Sequence, residues 1–210
     1  MAESKAVRWA KTHSEMLATA ARMIRARGLK SPSVAEVMAS LGLTVGGFYG
    51  HFASKEALFD EALGASLRQT WERLLSEVRH QEPKERLRSI LRRYLSRSHR
   101  DIGPDGTTDD ARTGCPLPAT LGEVATSGDP YRATVAREVE HFAAELGRII
   151  TPPHGGADAR KLALGLVVVM VGGISLSRAL AGTPLSDAIL EASRQLAYSV
   201  LATHSRGAHD

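Results

Sequence analysis

The stretch SVAEVMASLGLTVGGFYGHF, residues 33–52, decides how the rest of the chain is read. In its first half Val34, Val37, Met38 and Leu41 recur at helical spacing, so one face of a short helix is apolar. Ser33 is a hydroxyl N-cap, and Glu36 three residues on completes a capping-box pattern. Gly42 supplies the backbone freedom for a tight reversal. Thr44 is an N-cap residue for a second short helix. There Val45, Phe48, Tyr49 and Phe52 are expected on one side, and Gly46, Gly47, Gly50 and His51 on the other. Helices this short are not stable alone. Phe48 and Phe52 must therefore anchor the second one to a small domain. The pattern predicts a helix-turn-helix.

The glycines carry the functional hint. Each costs about 1 kcal/mol against alanine in a helix interior. Three on one face mean that nothing there needs a side chain for packing, and that the face can come very close to something. A helix laid in a DNA major groove meets that description.

From Ala20 to Leu63 the chain reads AARMIRARGLKSPSVAEVMASLGLTVGGFYGHFASKEALFDEAL. The end of a first helix, SVAEVMASLGL, TVGGFYGHF and the SKEALF opening of the next helix together resemble the DNA-binding domain of TetR-family transcriptional regulators. The Tyr49-x-His51-Phe52 ending followed by Ser54-Lys55-Glu56 is the most specific part. The resemblance implies an all-α fold: an N-terminal three-helix helix-turn-helix DNA-binding domain (1–55) followed by a larger helical ligand-binding and dimerisation domain (56–210). It also implies a repressor released from its operator by a small molecule, with Tyr49 and His51 at phosphate-contacting positions.

Composition agrees with such a protein and narrows the rivals. At 43% hydrophobic the 210 residues can bury a core, and at 5% aromatic that core is mostly aliphatic. The net charge of +4 and pI near 9.5 permit a nucleic-acid partner. A single cysteine, Cys115, excludes an internal disulfide and fits the cytoplasm. The N-terminus has no secretory core. The uncharged run 162–177 is shorter than the ~20 residues of a membrane span and is interrupted by Gly172 and Gly173, so it is expected inside a protein interface. No zinc-protease, P-loop, dinucleotide or nucleophile-elbow motif occurs, and the eight histidines lack metal-ligand spacing. Neither catalysis nor a cofactor nor a bound metal is expected.

Along the chain, residues 3–9 read as a charged arm and 12–27 as the first helix. Arg22, Arg25 and Arg27 gather at that helix's end, suited to its dipole. Helices are expected at about 54–79, 84–99, 117–125, 131–150, 158–181 and 187–203. Loops are expected at 101–113 and 151–157, and a frayed tail at 206–210.

Candidate DNA contacts are Ser33, Thr44, Val45, Gly46, Gly47, Tyr49, His51 and Lys55. Lys55 is a misplaced cation in the first turn of its helix unless a phosphate binds there. The face carries no Arg, Lys, Asn or Gln, so the bidentate base pairings are absent. Close approach at Thr44, Gly46 and Gly47, Arg27 or Lys30 in an adjacent groove, and DNA shape are left to read sequence.

One such domain reads few base pairs, so a homodimer on a palindromic operator is expected. The last two helices supply its candidate contacts: Leu164, Val168, Val171, Ser175, Leu190 and Leu201. Candidate effector-lining residues are Trp71, Leu91, Tyr94, Cys115, Leu117, His141 and Phe142.

Cys115 also lies just before a helix start, where the dipole stabilises a thiolate. That makes a thiol-based sensor of oxidants or electrophiles an alternative. A helical ligand-binding module without DNA binding is another.

Overall fold

The computed structural model describes residues 4–78, 82–101, 114–150 and 157–207, with side chains up to residue 202. Those residues form ten helices and no strand: α1 Lys5–Arg27, α2 Val34–Ser40, α3 Val45–Phe48, α4 Lys55–Ser76, α5 Pro83–Tyr94, α6 Arg97–Arg100, α7 Leu117–Ser127, α8 Tyr131–Ile150, α9 Ala157–Ala179 and α10 Pro184–Gly207. The expected loops at 102–113 and 151–156 and the last three residues of the expected tail lie outside the described residues.

Local signals place most helix ends. The Ser33 hydroxyl accepts from the Glu36 amide at 3.2 Å while the Glu36 carboxylate accepts from the Ser33 amide at 2.8 Å, a complete capping box. Ser54 caps α4 through the Ala57 amide at 3.2 Å. Gly28 ends α1 at φ +78°.

Three expectations are corrected. The first helix begins at Lys5 with Ser4 as its cap, so the expected arm is helical. The 84–99 segment breaks at Leu95 into α5 and α6, because Ser96 caps a new turn through the His99 amide at 3.2 Å. The apolar run belongs to a 23-residue helix whose most apolar 18-residue window has a mean hydropathy of 1.9, long enough to cross a membrane by length and composition. Its inner face instead packs between α8 and α10, with Ala163, Leu166, Val167, Met170 and Ile174 buried.

The long α4 joins the two halves. Leu58, Phe59, Ala62 and Leu63 in its first turns are buried where α4 packs on α1, together with Met16, Ala20 and Ile24. Leu67, Trp71 and Leu74 further along are buried where it packs on α8. Gly64 lets α8 come close: a Cβ there would stand 3.2 Å from Thr134 Cγ2. One helix therefore packs on both α1 and α8.

Candidate functional site

The short α3 is held against α2. Phe48 and Phe52 are buried, 5.8 Å apart and stacked, and each Phe side chain is worth about 1.5–3 kcal/mol on burial. Val37 and Met38 of α2 lie in the same core.

The rest of the segment is open. Leu43, Thr44, Val45, Gly46, Gly47, Tyr49 and Gly50 are all exposed, Tyr49 at 69%. Val45 and Tyr49 were expected to pack beside Phe48. They face solvent because α3 is a single turn, and two phenylalanines alone reach the core. Thr44 starts α3, but its side chain makes no capping bond; only its carbonyl is used, accepting from Gly47 N at 3.0 Å.

Gly47 would place a Cβ 3.7 Å from Met38 Cε, an ordinary contact, and Gly46 would place one 4.0 Å from Thr44 Oγ1. The protein itself does not require glycine at either position. The bare surface is therefore a property directed outward.

The other expected contacts are partly committed to the protein. Ser33 spends its hydroxyl on α2's cap. Lys55 Nζ donates to the Lys30 carbonyl at 3.0 Å and lies 5.4 Å from the Phe59 ring, which resolves its place in the first turn of α4 without a phosphate. Arg27 pairs with Glu36 at 2.7 Å and Lys30 Nζ donates to Thr126 at 3.1 Å, so neither extends freely toward a neighbouring groove. With Arg27 and Ser33 both donating to it, the Glu36 carboxyl is held at about 2.

His51 is half-buried. Its ring stacks on Trp9 at 4.9 Å and stands 5.9 Å from His13, which stacks on Phe52 at 4.5 Å. Burial, then the nearby His13, lowers the His51 pKa from its ordinary value. Trp9 also donates its indole N–H to the Gly50 carbonyl at 3.0 Å. Residues 5–9, read from the sequence as an arm, thus buttress the end of the exposed segment. No local pattern carries that contact, which spans 41 residues.

A second junction runs through α7. The Glu123 carboxylate accepts from the backbone amides of Leu29 and Lys30 in the loop between α1 and α2, the latter at 3.2 Å. A Cβ on Gly28 would collide with that carboxylate at 2.4 Å, so glycine is required there for close approach as well as for its positive φ. Sequence reasoning missed Glu123, which looks like any exposed helix acid.

In the larger half, Trp71, Leu91, Tyr94, Cys115, Leu117 and Phe142 are all buried, at 0–1% exposure. Trp71 stacks on Phe142 at 4.2 Å and lies 6.0 Å from Tyr94, whose ring is 4.4 Å from His99. His141 does not join them: one residue before Phe142 on α8, it turns to solvent. Burial pushes the Cys115 thiol up, opposite to the dipole-stabilised thiolate expected. Among the described residues no group of three or more His, Cys, Asp or Glu side chains is placed to hold a metal ion.

The candidate dimer residues separate into two sets. Val171, Leu190 and Leu201 are buried within the protomer, and Leu164 packs against its core. Ser175 donates to the Val171 carbonyl of its own helix at 2.7 Å. Val168 alone stands well out, at 71% exposure. Gly173 was expected to permit helix packing and does so against Ser193 of α10, whereas Gly172 faces open space.

An exposed single-turn helix seated by its C-terminal phenylalanines on a capped partner helix, with a helical domain behind it, defines a helix-turn-helix DNA-binding protein of two-domain, all-α type. Residues 16–62 match the family model described as "Bacterial regulatory proteins, tetR family". Over that N-terminal stretch the chain is similar to the tetR family of bacterial regulatory proteins.

Solved structures agree over its length. A TetR-family transcriptional regulator from Cytophaga hutchinsonii is 23% identical, with a TM-score of 0.72 over 97% of this chain and 98% of the other. The reduced form of E. coli NemR is 17% identical, with a TM-score of 0.71 over 89% and 95%. A transcriptional regulator from Saccharomonospora viridis, in complex with choline, is 18% identical, with a TM-score of 0.66 over 92% and 96%. At these identities the likeness is one of fold. No curated protein matches the chain significantly.

Proposed function

We propose that this protein is a cytoplasmic repressor that binds a palindromic operator as a homodimer and is released by a small-molecule inducer. The observation that carries DNA contact is the bare, solvent-facing segment 43–50, seated on Phe48 and Phe52. Thr44, Val45, Gly46, Gly47 and Tyr49 are the proposed contacts, with His51, Ser33 and Lys55 holding the surrounding backbone.

The dimer reading is supported by apolar side chains left uncovered on the last two helices. Val168 and Leu176 of α9 are exposed at 71% and 58%, and Leu185, Leu196 and Val200 of α10 at 55%, 54% and 39%. Such exposure suits a partner surface. The inducer reading is supported by the aromatic cluster of the larger domain and by two junctions leading from it toward the helix-turn-helix. These are α4 itself and Glu123 on the α1–α2 loop. A small molecule acts only if it binds the operator-free arrangement more tightly.

The test is selection of bound duplexes from a random pool, followed by fluorescence anisotropy across a salt series. A palindromic consensus with a steep loss of affinity on adding salt is expected, because phosphate contacts release counterions. Indifference to every duplex at low ionic strength would sink the reading.

A further inference from the structure

Tyr94 and Trp71 are among the most deeply buried side chains, at 0% and 1% exposure, yet Trp71 Nε1 has no hydrogen-bond partner among the described residues and Tyr94 Oη has none stronger than the Cys115 thiol. Arg178 Nη1 is a buried atom in the same condition as Trp71 Nε1. The other guanidinium nitrogens of Arg178 are spent on the backbone: Nε donates to the Arg100 carbonyl and Nη2 to the His99 carbonyl, each at 3.1 Å. Its electrostatic neighbours are the Cys115 thiol, the Tyr94 phenol and Asp101. Asp101 is already held by Arg100 at 2.6 Å.

Buried polar groups in folded proteins are nearly always paired, so such a cluster calls for an occupant. Its chemistry is one-sided. Indole and guanidinium nitrogens can only donate, and a neutral phenol donates readily. The occupant must bring acceptors, and the guanidinium, whose neighbouring carboxylate Asp101 is shared with Arg100, favours a negative one. A cation would be repelled. The surroundings are flat and aromatic: Phe142, Trp71, Tyr94 and His99 follow one another ring to ring, at 4.2, 6.0 and 4.4 Å. A cavity of about 30 Å³ reaches this cluster through His99, and is lined also by Thr70 and Leu74 and by the charged Arg73, Glu77 and Arg93. That is room for about one water, so a larger ligand must part the surrounding side chains.

We propose that Tyr94 and Arg178 form the head-group subsite for a small aromatic carboxylate, whose oxygens accept from Tyr94 Oη and Arg178 Nη1 while its ring lies among the neighbouring aromatic side chains. The proposal rests on reading the larger domain as an effector domain, and names the chemical class of the effector.

The test uses the full-length protein and benzoate as probe, with benzyl alcohol as neutral control and benzyltrimethylammonium as cationic control, read by thermal shift and titration calorimetry. Benzoate is expected to raise Tm and to bind at least tenfold more tightly than either control. Tyr94→Phe removes a hydroxyl whose partner within the protein is only the weakly bonding Cys115 thiol, so the free protein's Tm should change little while benzoate affinity falls at least tenfold. Arg178→Lys, which keeps the charge and loses the planar fork, should also weaken benzoate. Equal binding of all three probes, no binding of benzoate, or full benzoate affinity in Tyr94→Phe overturns the proposal. Operator binding is measured in parallel: its absence with benzoate binding intact would remove the repressor reading and leave the subsite standing.

Discussion

The indole N–H of Trp9 donates to the main-chain carbonyl of Gly50 at 3.0 Å, and the same indole stacks on His51 at 4.9 Å. In the second turn of α1, this side chain closes over the end of the exposed segment. Trp9→Phe keeps a stacking ring and deletes the hydrogen bond. A hydrogen bond between two exposed groups such as these contributes about 0.5–1.5 kcal/mol, roughly two- to tenfold in affinity if spent on orienting the segment. Operator Kd by anisotropy should weaken by that factor with little change in Tm. Unchanged affinity would show that Gly50 holds its place without the indole.

Gly47 tests whether the surface must be bare. Gly47→Ala puts a methyl at ordinary contact distance from Met38 Cε, so the fold should be nearly indifferent. The methyl also adds helix propensity worth about 1 kcal/mol. Operator affinity should nevertheless fall, and fall further in Gly47→Leu. Binding by both variants at the original strength would refute close approach.

Acidification should loosen the N-terminal domain in a defined window. The folded His51 pKa lies below its ordinary value of 6.5, mainly from burial and then from His13. The native state therefore favours the neutral ring, and the unfolded state binds more protons as pH falls. The stability tied to neutral His51 is fully present above about pH 6.5 and is lost as pH drops through the lower folded value. Urea denaturation between pH 8 and pH 5 should show this slope, and His51→Phe should flatten it. The groups facing the ring are Trp9 and His13, the latter bonded to Glu61 at 3.3 Å. A slope unchanged in His51→Phe would assign the effect elsewhere. Below pH 4.5, loss of the Glu36 carboxylate, held at about 2, should act in the same direction.

Val168→Glu probes the proposed dimer surface. The side chain is 71% exposed and touches no core, so the protomer should fold with its helical content intact. A charge buried at a symmetric contact meets its own copy, and light scattering at micromolar concentration should report a shift toward monomer. Val171→Glu should instead destabilise the protomer itself, since Val171 is 7% exposed. A Val168→Glu variant of unaltered mass would place the dimer contact on another face.

What could be read in the sequence alone was whatever is decided within a turn or two of the chain. Ser33 with Glu36, Ser54 before α4, Gly28 after α1 and the spacing of Phe48 and Phe52 act through neighbours three or four residues away, and each did what its position demanded. Those signals suffice for the all-α class, the helix-turn-helix and the place of the recognition segment. Tertiary structure alone decided which of two helical faces meets the core. It turned Val45 and Tyr49 outward because α3 stops after one turn, and sent His141 to solvent beside a buried Phe142. It buried Val171, Leu190 and Leu201 within one chain while leaving Val168 bare. It also brought Trp9 to Gly50 and Glu123 to Leu29 and Lys30. Helical periodicity marks an apolar stripe but not its partner, and a contact between residues 41 or 94 apart leaves no local trace because it depends on where every intervening helix has packed.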